Sequence, residues 1–443
     1  MKSVRDFALG APAVLIVVLV GSTQPVCGQA GEDWPSFLGP RRNSTSIETD
    51  ILRRWSDGPE VAWHRPVAEG YSMPTVAGGR LFHFDREADH VRLSSFDSES
   101  GRLIWRTESE THYEDLYGYS GGPRASPVVD GHRVFTFGAD GWLRCHRSED
   151  GVLLWEVDTV SRFGVVQNFF GTGSTPIVEG DILIAQIGGS APGTPDVHSG
   201  VMAPNGSAVV GFDKTTGEVL YRLGDDLASY ASPVLTTIRD RRWGLAFLRG
   251  GLLAFEPQRE GLRFFYPWRA RRLQSVNAST PIVIGDEVLI TESYGAGASL
   301  LRLGAAGFEV IWSDEPRRRP RLACHWNTPV VHGGFIYASS GEKSGSAELR
   351  CLKWSTGEVM WSEPGLRRSS LLYVDDHLIV LTEYGELLLI RATPEGFQPI
   401  TRSQVHDENG DLLLRYPAWS APILSHGFLY LRGEGRLVAL RLG

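Results

Sequence analysis

The side chains best suited to hold or transform a ligand cluster just ahead of a recurring proline. They are Tyr71, Arg124, Gly173, Tyr230, Ala278, Trp326 and Trp419, with Asn168, Asn277 and His325 close by. Aromatic rings, amides and one arginine converging on a concavity would suit a small polar or sugar-like ligand. The rival role is structural: the same residues could cap strands and fill a channel. Three apparent chemistries fail on context. Gly118-Tyr119-Ser120-Gly121-Gly122 matches a serine-hydrolase elbow, which works as a strand-to-helix turn, whereas here it falls in a long loop. Cys145, Cys324 and Cys351 show no metal-ligand spacing, and Cys145 and Cys351 occupy apolar strand positions, so no metal site is assigned. His132, His332 and His377 read as polar turn residues. The sequons at Asn43, Asn205 and Asn277 matter only in a glycosylating source. No catalytic set is assigned.

What must position these residues is a repeat. A small polar residue, Pro, two apolar residues, any residue and Gly recur at Pro74, Pro127, Pro176, Pro233, Pro281, Pro329 and Pro422, and a copy lacking the proline spans Ser370 to Asp376. The period of roughly fifty residues suits a four-stranded propeller blade. In the second unit, Pro127 to Val129, Arg133 to Phe137, Trp142 to Arg147 and Val152 to Glu156 are predicted strands, separated by Asp130-Gly131, Ala139-Asp140-Gly141 and Glu149-Asp150-Gly151. An aromatic follows a turn glycine before the last strand of most units. Trp105, Trp155, Tyr221, Phe265, Trp312 and Trp361, together with Trp63, are therefore expected to wedge between blades. The eighth unit ends at Leu442 without a fourth strand, and Val61-Ala62-Trp63 can supply it, which would remove the exposed sheet edges. The fold class is thus all-β: an eight-bladed β-propeller of four-stranded antiparallel blades, the last closed by an N-terminal strand. Cys145 and Cys351, on opposite sides of such a ring, should not pair.

Three segments follow from this reading. Residues 1–30 form a signal peptide, with Lys2 and Arg5 before an apolar stretch from Ala8 to Val20 and small residues through Ala30. Residues 31–60 lead into the ring and are expected outside it, and residues 61–443 form a single propeller. The protein is then secreted or periplasmic, with no membrane span once the signal is cleaved, and monomeric. A formal net charge of -8 argues against nucleic acid as a partner. Charge is nonetheless uneven: Arg269 to Ala278, Ser313 to Trp326 and Ser362 to Ser370 gather arginines, while Arg106 to Arg124 is acidic. A small anionic ligand could be steered to one sector. The longest loops, Arg106 to Arg124, Glu156 to Gly173 and Gly188 to Ser207, share one face, where binding usually sits.

Phe96-Asp97 through Gly101 to Trp105, and Phe212-Asp213-Lys214-Thr215-Thr216-Gly217-Glu218, resemble the tryptophan-docking repeat of the pyrroloquinoline-quinone (PQQ) propellers. Asp33 to Pro40 and Ser369 to Glu386 resemble secreted PQQ-like repeat proteins. The resemblance implies either a non-catalytic scaffold, related in fold to the outer-membrane assembly lipoprotein, or a PQQ-dependent dehydrogenase of alcohols or sugars that uses PQQ with Ca2+. The dehydrogenases typically carry adjacent cysteines, calcium ligands and an aspartate base. No adjacent cysteine pair occurs here, and the ligands and base do not map onto this sequence. The favoured reading is a binding or scaffold protein that takes a protein, polysaccharide or small anionic ligand on its long-loop face.

Overall fold

A computed structural model describes residues 31–55, 58–304, 307–315 and 319–443. The expected signal peptide and Arg317 and Arg318 lie outside these residues. In the second unit the strands are Val128–Asp130, Arg133–Phe137, Trp142–Arg147 and Leu153–Asp158, each antiparallel to the next. The two middle strands are buried along almost their whole length, which is why they read as apolar runs. The outermost strand alternates and faces water. Eight sheets of four strands repeat this plan. The unit without a proline still forms its first strand, Ser369–Val374. Val61–Pro66 pairs antiparallel with Arg436–Arg441 and closes the eighth blade, as expected from the unpaired edge. Among the described residues no helix is long and apolar enough to cross a membrane.

The Ser or Thr before the proline of blades two to six has a structural purpose. The backbone N–H of Ser126 donates to Thr175 Oγ1 at 3.0 Å, that of Thr175 to Ser232 Oγ at 3.0 Å, that of Ser232 to Thr280 Oγ1 at 3.1 Å and that of Thr280 to Thr328 Oγ1 at 3.2 Å. Met73 N–H starts the series on Ser126 Oγ. These bonds run along the channel from blade one to blade six, each satisfying an inner-strand donor that has no ladder partner on that side.

At the periphery, an indole from one blade docks on the next. Trp63 Nε1 donates to Ser98 O, Trp105 to Ser148 O, Trp155 to Lys214 O, Trp312 to Trp354 O and Trp361 to Thr393 O, at 2.8–3.1 Å, and Tyr221 OH donates to Pro257 O at 2.8 Å. Gly101 lies so close beneath Trp63 that a Cβ there would stand 2.6 Å from the ring. The docking residue of blade four is Phe264 and not Phe265. Each docking residue is the one opposed just before a β-bulge: Cys145 opposes Trp155 in blade two, and Ala254 opposes Phe264 in blade four. Counting four residues from the glycine missed that register, and Phe265 is 40% exposed. Blade seven has Thr401 at this place, and its hydroxyl donates to the carbonyl of Trp55 from the lead-in segment.

The lead-in segment does not lie outside the ring. Trp34 is fully buried and bridges Val76 of the first inner strand, Val129 N–H donates to Pro35 O, and Thr45 bridges Tyr373. These residues and the first-to-second-strand turns, such as Gly78 and His426, occupy the face opposite the long loops. Apolar Phe37 and Leu38 line the channel and close it from below, while Trp34 is buried in the core cluster with Val76 and Trp63. Cys145, Cys324 and Cys351 are buried and free, with burial pushing each thiol up to about 12.

Candidate functional site

The loop entering each blade places the residue three before the proline at the channel mouth. Tyr71, Arg124, Gly173, Tyr230, Ala278, Trp326 and Trp419 all line one cavity of about 590 Å³, which runs down to Phe37 and Leu38. His325 lines it too. Asn168 and Asn277 do not. Asn168 Nδ2 donates to Ala228 O, and the fully buried Asn277 amide donates to Leu248 O and Trp268 O, so both tie loops together. That burial also leaves Asn277 unavailable for glycosylation in the folded chain.

The cavity wall is aromatic. Trp419 has ring centroids of Tyr71 at 4.9 Å, Trp326 at 5.1 Å, Tyr416 at 5.8 Å and Tyr119 at 5.9 Å. Tyr119 continues to Phe170 at 5.8 Å, and Phe170 to Tyr117 at 5.4 Å and Tyr230 at 5.7 Å. Rings therefore run unbroken across the mouth from Tyr384, which meets Tyr416 at 4.9 Å, to Tyr117. Tyr117, Tyr119, Tyr384 and Tyr416 are each more than 40% exposed, so the track is open to solvent at its rim.

Its two arginines are already paired with carboxylates. Arg124 donates to Asp115 Oδ1 at 2.8 Å and to Ser120 O and Gly122 O, folding the long loop of blade one onto itself. Arg368 donates twice to Glu383 Oε2, at 2.6 and 3.1 Å, and lies over the rings of Trp326 and Trp419 at 4.4 and 5.4 Å. Burial opposes the charge on Glu383, but the Arg368 hydrogen bonds outweigh it and hold the carboxyl below its usual range. Arg272 pairs with Glu342 and Arg321 with Asp314. Of the seven described arginines in the arginine-rich segments, three, Arg272, Arg321 and Arg368, are thus paired with carboxylates. His325 accepts or donates at Tyr294 OH, 3.1 Å away, and burial depresses it to about 3, so its ring is neutral. Burial raises Tyr71 to about 12. Ser120 of the GxSxG string lies in an irregular loop, its hydroxyl accepting from Gly122 N–H.

Sequence reasoning missed Arg368 and the rim tyrosines. Arg368 stands two before Ser370, as Arg124 stands two before Ser126, and alignment of the proline-less unit on its serine would have found it. Tyr117, Tyr119, Phe170, Tyr294 and Tyr416 come from irregular loops, which carry no period.

Several solved structures share this architecture. BamB from Moraxella catarrhalis is 13% identical, with 86% of this chain and 98% of that one covered at a TM-score of 0.56. Quinohemoprotein alcohol dehydrogenase from Comamonas testosteroni is 11% identical over 92% and 80% at 0.64, and the alcohol dehydrogenase ADHIIG of Pseudomonas putida HK5 is 11% identical over 93% and 80% at 0.63. These likenesses establish a shared fold, one found both in BamB and in quinohemoprotein alcohol dehydrogenases. A comparison with curated protein sequences found no relative. The family model described as outer membrane protein assembly factor BamB matches residues 54–191 and 89–394, a span running from the closing strand into the seventh blade. An eight-bladed PQQ-like propeller matched over most of its length in this way belongs to that family.

Proposed function

We propose that this protein is a non-catalytic binding protein of the cell exterior or periplasm, which holds a neutral ring-bearing chain, of the kind found in a polysaccharide, across the mouth of its propeller. The observation that carries this reading is the unbroken aromatic track from Tyr384 through Tyr416, Trp419, Tyr119 and Phe170 to Tyr117. Large rings with exposed faces bind flat, partly apolar surfaces such as those of sugar rings. A charged ligand is less well served, because Arg124 and Arg368 are held by Asp115 and Glu383. The localisation rests on the signal-like first thirty residues and on the family.

A second reading, a PQQ-dependent oxidoreductase, is favoured by the two quinohemoprotein dehydrogenases, whose overlap with this chain exceeds that of BamB. The aromatic walls suit a planar ring. The residues do not fit the quinone together with its calcium ion: among the described residues no group of three His, Cys, Asp or Glu side chains is placed to hold a metal ion, and the carboxylates at the mouth are committed to arginines. No step is derived through that group.

One set of titrations separates the readings. The mature protein is run by affinity gel electrophoresis through neutral polysaccharides, and separately titrated with PQQ and Ca2+ in a dye-coupled alcohol and sugar oxidation assay. Retardation by a neutral glycan, abolished by Trp419→Ala, is expected. Cofactor-dependent turnover without glycan retardation would replace the binding reading by the enzymatic one.

A further inference from the structure

A second cavity, of about 400 Å³, lies beside the first on the same face, roofed by the Gly188 to Ser207 insertion. It extends from the turn of blade two at Asp140 to the turn of blade four at Arg249, and its wall shares the 168–171 segment with the aromatic cavity. Three buried polar atoms on its lining have no hydrogen-bond partner: Asp140 Oδ2, Ser190 Oγ and Arg249 Nε. Such groups are costly unless something satisfies them.

The two ends differ in charge. Arg249 is 2% exposed, stacks over Phe169 at 5.1 Å and spends one hydrogen bond, from Nη2 to Leu273 O at 3.1 Å. No carboxylate among the described residues pairs with it. The nearby Asp226 instead accepts from Gly250 and Leu227 N–H. Burial lowers the Arg249 guanidinium to about 10, which leaves it cationic at neutral pH. At the other end, Glu110, Asp140 and Asp158 line the cavity. Asp158 is occupied in capping the short helix Thr159–Phe163, whereas Asp140 has an oxygen to spare. Between the ends the lining includes the apolar side chains of Val160, Val165, Ile187 and Val197 beside polar ones such as Gln167 and Thr172.

We infer that this cavity binds a dipeptide with apolar side chains, its carboxylate on Arg249 and its ammonium on Asp140. A free α-amino acid carries both charges on one carbon and cannot divide them between the two ends. The inference stands apart from the glycan reading, because it uses none of the residues of the aromatic track.

Isothermal titration of the mature protein with L-alanyl-L-leucine tests it, and L-leucine should bind at least tenfold more weakly. N-acetyl-L-alanyl-L-leucine and L-alanyl-L-leucinamide, each lacking one charge, should also bind at least tenfold more weakly than the free dipeptide. Asp140→Asn should weaken the dipeptide at least tenfold while binding of the N-acetylated form is little changed, and Arg249→Met should show the converse with the amide. Should Arg249→Met fail to fold, Asp140→Asn and the blocked ligands still decide. Trp419→Ala should leave dipeptide binding intact even if it abolishes glycan binding. Absence of heat from the dipeptide at 10 mM, or the amide and the free dipeptide binding alike, would overturn the inference.

Discussion

Trp419 touches more of the aromatic cavity than any single position before its neighbours, with Tyr71, Trp326, Tyr416 and Tyr119 around it and Glu383 accepting from its indole at 3.2 Å. Because it is only half-buried, removing the ring should subtract binding surface with little loss of fold. Trp419→Ala is expected to weaken glycan retention at least tenfold, corresponding to about 1.4 kcal/mol or more, with an unchanged far-ultraviolet spectrum. Equal retention would show that the track is not the binding surface. The three cysteines allow a second check at this scale. All are buried and their thiols are pushed up to about 12 by burial, so thiolate is scarce and access is closed. Ellman's reagent should report no reaction in buffer and three equivalents in denaturant; a fast-reacting thiol in the native protein would contradict this placement. Single residues were legible in the sequence where they sat at a fixed place in the repeat, as Tyr71, Trp326 and Trp419 did. Asn168 and Asn277 looked equally polar and equally near, and only the carbonyls that their amides reach reveal that they brace loops.

Elements were read more securely than residues, since each strand is specified many times over by the repeat. The second unit illustrates this: Arg133–Phe137 and Trp142–Arg147 follow directly from apolar runs between glycine turns. Register is subtler. A bulge moves the docking ring by one residue, and the sequence spacing from Gly261 points to Phe265 although the ring packed against Phe308, at 5.2 Å, is Phe264. The energetic consequence is testable. Trp155 is 9% exposed and stands over Gly217, with its indole bonded to Lys214 O. Trp155→Ala removes a buried ring and leaves that carbonyl without its donor, a loss of about 3–5 kcal/mol. Phe264→Ala should cost more than Phe265→Ala by at least 1 kcal/mol. Urea-unfolding midpoints of the two phenylalanine variants would settle the register, and a larger loss at Phe265 would refute it.

At the scale of the whole molecule, the ring is held by the closing strand, the hydroxyl series of blades one to six and the plug of Phe37 and Leu38. The closure was legible because a missing fourth strand at one end had a candidate at the other. The plug was not, because a segment with no repeat partner gives no clue to the cavity that buries it. The ring also buries His83 and His146 in its interior and partly buries His325 at the cavity, and these set a dependence on pH. Burial lowers His83 to about 3, His146 to about 4 and His325 to about 3. An unfolded histidine titrates near 6.5. Between those values the unfolded chain binds protons that the native state does not, so stability rises with pH across that window and is lost as pH falls through it. His83 is the clearest case. It is 1% exposed, neither ring nitrogen has a partner, and the buried Arg432 disfavours its cation further. Urea-unfolding free energy should fall steadily from pH 7 to pH 4, by an amount on the order of a few kcal/mol per buried histidine at most. His83→Leu keeps the volume, removes two unpartnered nitrogens and takes away one titrating group, so it should be neutral or stabilising at pH 7. Its advantage over the wild type should then widen as the pH is lowered, and parallel pH profiles for the two proteins would show that His83 does not titrate in this way.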